Sequence, residues 1–194
     1  MNRTARFKIM NFIFISLIVF ITIYFYKTYR TPLAFLLPVL LLAIINIINK
    51  FAWKKFVEGR KLTQQKKYSR AIEVYNSFLD ELEKKPILNY LMYLTIRIYS
   101  TSLKAIIYND IASCYINLSQ LKEAKEAVTQ SLQQDELYAM PYYNLAIINI
   151  IEGETANAQR NLEETNKLGF KTVDFETLQR YILEVYTDSP QSDN

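Results

Sequence analysis

Between Tyr108 and Asn166 the sequence repeats itself at a period of 34 residues. Tyr108 answers to Tyr142, Ile111 to Leu145, Ala112 to Ala146 and Ala124 to Ala158. A period of that length fits one helix–turn–helix unit, which cannot bury its apolar side alone and must stack on neighbours. The alanines have a physical task, because two helices approach closely only where the facing side chains are short. A weaker copy lies upstream. Gly59 takes the place of Ala112 and sets Leu62, Tyr68, Ala71 and Tyr75 in register, while Phe78 stands where a small residue is expected. The first positions of these two copies, Ala52 and Ala105, are 53 residues apart, so about 19 residues are inserted between them. Three units are roughly the minimum for a stable stack.

With these pairs at positions 4, 7, 8 and 20 of the unit, residues 105–170 resemble tetratricopeptide (TPR) repeats. Position 11 is Tyr115 in one copy and Asn149 in the other. The resemblance implies an all-α protein containing a short TPR-like α-solenoid of about three helix pairs. It also implies a protein partner, held as a peptide or helix along the groove lined by the first helix of each pair. One subset of the family grips a C-terminal carboxylate with basic residues and asparagines. The matching positions here are Phe56, Arg60, Asp110, Met140 and Asn144, so that clamp is missing. The groove is apolar instead, with Ile106, Ile116, Met140, Tyr143, Ile147, Ile150 and Ile151, and with Asn109 and Asn117 offering hydrogen bonds. Either an amphipathic helix of a partner fills it, or the chain's own C-terminal helix does.

That last helix is expected from Phe175, capped by Asp174, with Leu178, Tyr181, Ile182 and Val185 on one face. It closes the open end of the solenoid. Gly169 marks the stop of the helix before it, and residues 187–194 read as a disordered polar tail.

The N-terminal third is of a different character. Residues 1–67 hold 12 of the 23 Lys and Arg residues but one of the 19 acidic ones, Glu58. Two apolar runs, 9–26 and 32–49, are long enough to be read as membrane spans. The hydrophobic runs are joined by Lys27-Thr-Tyr-Arg-Thr31, and Pro38 is expected to kink the second. Residues 1–50 are thus expected to form a transmembrane helical hairpin, and residues 51–186 the helical domain. Arg3, Arg6 and Lys8 precede the hairpin, so the positive-inside rule puts both termini and the repeats in the cytoplasm. The Ile-, Asn-, Lys- and Tyr-rich composition fits an AT-rich bacterial genome, giving an integral protein of a bacterial plasma membrane. Lys50, Trp53, Lys54, Lys55, Arg60 and Lys61 are the expected membrane-interface residues, with the lipid bilayer as a second partner; Tyr24 and Tyr26 suit the interfacial belt.

The insertion, 86–104, is apolar on all sides of a helix, with Ile87, Leu88, Tyr90, Leu91, Met92, Tyr93, Leu94, Ile96, Ile98 and Tyr99. It is expected to lengthen the first helix of the next pair and pack on the first hairpin or on a partner, the alternatives being a position in the membrane interface or a third span.

No chemistry is indicated. The chain has no His and one Cys, so the commonest general base and transition-metal ligand is missing and Cys114 has no partner for a nucleophilic role. Glu81/Glu83, Glu123/Glu126 and Glu163/Glu164 fall among lysines on outer faces. There is no phosphate loop, metal-ligand spacing or triad, and no cofactor, nucleic acid or small-molecule substrate is expected. The sequence points to a membrane-tethered, non-enzymatic adaptor, or alternatively to an accessory subunit of a membrane complex held by the hairpin.

Overall fold

A computed structural model describes residues 3–29, 36–88 and 100–188, and every regular element among them is a helix. α1 (Arg3–Tyr29) and α2 (Leu36–Ala52) precede three helix pairs. The pairs are α3 (Lys54–Gln64) with α4 (Tyr68–Lys84), α5 (Leu103–Asn117) with α6 (Leu121–Gln134), and α7 (Ala139–Ile151) with α8 (Thr155–Lys167). α9 (Phe175–Asp188) follows them.

Each pair closes where the sequence repeats. Ala112 and Ala146, and likewise Ala71, Ala124 and Ala158, are fully buried, and Gly59 is buried in α3. Tyr75, Phe78, Ile107 and Val128 fill the space between the first two pairs. Phe78 therefore serves as core, although a small residue is usual at its position. α5 seats chiefly on α4, and α7 chiefly on α6, so the stack grows from the second helix of one pair to the first of the next.

The turns inside the pairs share one geometry. Lys66, Ser119 and Gly153 are all in the left-handed region, at φ 58°, 58° and 80°. In each turn the amide one residue further on donates back to a helical carbonyl: Lys67 to Leu62 (3.0 Å), Gln120 to Tyr115 (3.0 Å) and Glu154 to Asn149 (2.8 Å). This is the Schellman closure, which satisfies carbonyls the helix end leaves open. Gly169, at φ 92°, ends α8 in the same way, with the Phe170 amide donating to Thr165. Gly153 has open space where a Cβ would stand, so its substitution strains the backbone alone. Gly153→Ala should cost about 1 kcal/mol, read as a lower urea midpoint with an unchanged slope.

Among the described residues no helix is long and apolar enough to cross a membrane. This overturns the expected transmembrane hairpin and the integral membrane localisation built on it. α2 has 17 residues, about 26 Å of rise against a hydrocarbon core of about 30 Å, and includes Asn46, Asn49 and Lys50. In α1, Arg3, Arg6 and Lys8 lie at one end and Lys27 at the other.

α2 and α3 are separated only by Trp53. The insertion does not lengthen α5 through residues 100–102: α5 starts at Leu103, with the Ser102 hydroxyl accepting from the Ala105 amide at 3.2 Å. Residues 89–99 of the insertion lie outside the described residues, as do residues 30–35 and 189–194. Of the tail expected from Thr187, the first two residues belong to α9.

Candidate functional site

The first helices of the pairs, α3, α5 and α7, line one wall of the array. Its two halves differ in what covers them.

At the α7 half, Tyr143, Ile147 and Ile151 are half-buried, and Ile150 is buried. α9 lies against them: Leu178 and Ile182 are buried in one cluster with Ala146 and Ile150, joined by Phe175 and Tyr186. The Tyr143 ring also meets Phe170 at 6.1 Å. From the last turn of α9 the Tyr186 hydroxyl donates to the Ile116 carbonyl at the end of α5, at 2.5 Å. Five of the expected groove residues (Ile116, Tyr143, Ile147, Ile150 and Ile151) are thus in contact with α9 or share its cluster.

The others are placed differently. Ile106 is buried, and Met140 is half-buried against the main core. Asn109 is buried and accepts from Asn144 Nδ2 at 2.9 Å, so its amide oxygen is used between neighbouring pairs. Asn117 is exposed and donates to the Ser113 carbonyl at 2.7 Å. The repeat pattern marks Asn144 only as a clamp position; its bond to Asn109 joins residues 35 apart, one step out of the 34-residue register.

At the α3 half, aromatic and charged groups are interlocked. Trp53 meets Phe56 edge-on at 6.1 Å, and the Arg60 guanidinium lies 4.4 Å over the Phe56 ring. Arg60 Nε donates to Asp110 Oδ2 at 3.0 Å. Burial pushes the Asp110 carboxyl above its ordinary range, and Arg60 pulls it the other way. Thr63 Oγ1 lies 3.4 Å from Cys114 Sγ, and burial raises the pKa of the Cys114 thiol. A thiol so placed is packing, not a nucleophile.

The expected membrane-interface residues do not share one surface role. Lys50, Lys54 and Lys61 are exposed. Trp53 packs on the core, Lys55 pairs with Glu81 at 3.2 Å and with Ser77, and Arg60 is held by Asp110. These three serve the repeat array because α3 turns them toward α4 and α5. Glu81, Glu83 and Glu164 make surface ion pairs with Lys85, Lys104 and Lys167. Among the described residues no three acidic, Cys or His side chains gather as a metal site.

Solved structures resemble this fold. The first TPR domain of human RPAP3 is 16% identical, with a TM-score of 0.51 over 71% of this chain and 94% of that one. The first TPR of Spaghetti (RPAP3), bound to an HSP90 peptide, is 17% identical, with a TM-score of 0.50 over 71% and 94%. The C-terminal TPR-containing domain of a Plasmodium falciparum FK506-binding protein is 17% identical, with a TM-score of 0.51 over 71% and 89%. No family model and no curated protein matches the sequence. The fold is a TPR-like helical solenoid.

Proposed function

We propose that the chain is a non-enzymatic adaptor that holds an amphipathic helix of a protein partner against the inner wall formed by α5 and α7. One observation carries this reading: an amphipathic helix, α9, lies on Tyr143, Ile147 and Ile151, which is the kind of ligand that wall suits. The RPAP3 domain bound to an HSP90 peptide supports partner binding as the use of such a fold. The wall here favours a different ligand. Asp110 occupies Arg60 and would repel a terminal carboxylate, while Met140 stands where a cation would be needed.

The test is a pull-down with crosslinking, comparing the full chain with Ile147→Glu/Ile151→Glu after circular dichroism shows that both are helical. Loss of one dominant partner in the variant is expected. An unchanged set of partners would remove the inner wall from the reading.

A second reading, an accessory subunit held through its N-terminal helices, is favoured by the exposure of α1 and α2. Phe12 is 72% and Phe51 75% exposed, with Phe20, Val39, Leu40 and Ile47 also open. Apolar surface on that scale calls for a protein cover. Under this reading Phe12→Ser/Phe20→Ser, and not the α7 variant, loses the partners.

A further inference from the structure

We propose that α9 is a displaceable occupant of the inner wall, a stand-in within the chain for the partner's helix, which keeps the wall closed until a matching helix replaces it. This rests on the adaptor reading and adds to it the pattern of the ligand and the means of control.

The position of α9 carries the argument. If α9 simply continued the stack it would seat on α8, as α5 seats on α4 and α7 on α6. Its principal contact is α7 instead. It has moved from the end of the stack toward the inner wall. Its last turn reaches past α7 to α5, where the Tyr186 hydroxyl donates to the Ile116 carbonyl, which also accepts from the Ser119 amide at 3.0 Å.

The helix is also built to leave. It is held by one stripe, Phe175, Leu178, Ile182 and Tyr186, at steps of three, four and four residues. On another side Tyr181 is 61% exposed. Its N-terminal cap comes from its own chain, since Asp174 accepts from the Thr177 amide at 2.9 Å and the Thr177 hydroxyl at 2.8 Å. The tether from Gly169 to Asp174 is non-helical and begins at a left-handed glycine. A short tether presents α9 at an effective concentration on the order of millimolar, and a competing helix sees its apparent affinity reduced accordingly. The ligand chemistry follows from the resident: aliphatic residues at i and i+4, and an aromatic hydroxyl at i+8 to reach the Ile116 carbonyl.

The probe is a labelled synthetic peptide of residues 174–188, titrated into four full-length proteins and read by fluorescence anisotropy. Leu178→Asp/Ile182→Asp, which loosens α9, should bind the peptide about tenfold more tightly than the wild type. Adding Ile147→Glu/Ile151→Glu to it should abolish binding. Tyr186→Phe, which keeps the apolar stripe, should bind about two- to fivefold more tightly than the wild type and serves if the double variant does not fold. Equal binding by wild type and the loosened variants, or no binding by a loosened variant that keeps its helicity, overturns the proposal. So does a wild-type dimer that the peptide dissociates, because the natural occupant would then be α9 of a second copy. If the peptide enters the loosened wall but the pull-down yields no partner, the adaptor reading fails and only the closure of the wall by a displaceable α9 stands. A partner captured equally by wild type and loosened variant has the opposite meaning.

Discussion

Gly59→Ala is expected to destabilise the protein by about 2 kcal/mol, although it replaces a glycine within a helix. Helix propensity alone predicts the opposite sign, a gain of about 1 kcal/mol. Packing decides the outcome. A Cβ at this position would stand 2.8 Å from Cδ1 and Cζ of Tyr75 and nearer still to Cε1. That ring is fully buried and lies tilted at 55° against Phe56, 6.5 Å between centroids, so it has little room to move, and forcing an extra carbon into such a core typically costs about 1–3 kcal/mol or more. Urea unfolding gives the test, and Tyr75→Leu provides the control. The two changes should couple by at least about 1 kcal/mol, because the smaller side chain relieves the clash. A neutral or stabilised Gly59→Ala would mean that α3 and α4 can separate without penalty. The Tyr75 hydroxyl should matter little: it is buried without a hydrogen-bond partner among the described residues, and burial raises its pKa.

Gly59 also shows why part of the fold is legible in the chain. Close helix approach demands a short side chain at a fixed place, so Gly59, Ala112 and Ala146 stand out as a pattern in the bare order of residues. The inner wall is likewise readable as a list of apolar residues, because these recur on the first helix of each pair. Its occupant is not. Amphipathicity requires that Leu178 and Ile182 be buried, but it is silent on which wall buries them. The uses of Asn109 and Arg60 are hidden for a related reason: each is engaged by a residue of the next unit, out of the repeat register. The N-terminal runs mislead because hydropathy registers apolar content. Among the described residues neither α1 nor α2 is long and apolar enough to cross a membrane.

Asp135 gives no signal in the sequence, yet its removal should be the most damaging single substitution in the second half of the array. Its carboxylate is buried at the end of α6. Oδ2 accepts from the Ser100 hydroxyl at 2.6 Å, the Thr101 amide at 2.8 Å and the Thr101 hydroxyl at 3.0 Å. Oδ1 accepts from the Leu137 amide at 3.2 Å. One side chain thus fastens the approach to α5 onto the turn between α6 and α7, and Ser100 in turn accepts from the Ser102 amide at 3.0 Å. Nearby, the Ser131 hydroxyl donates to the Ala105 carbonyl at 2.7 Å, closing the same corner. Hydrogen bonds to a charged group are worth about 1.5–3 kcal/mol each in net terms, and a buried donor left without an acceptor costs about 1–3 kcal/mol. Asp135→Ala strands several donors at once, and since such effects are not additive the expected loss is about 3–4 kcal/mol. Asp135→Asn keeps one acceptor oxygen and should lose roughly half as much. Hydrogen exchange gives the sharper reading, because loss of the clamp should unprotect the amides of the first turn of α5 before those of α3 and α4. Uniform loss across the array would mean that Asp135 supports global stability and does not specifically anchor α5.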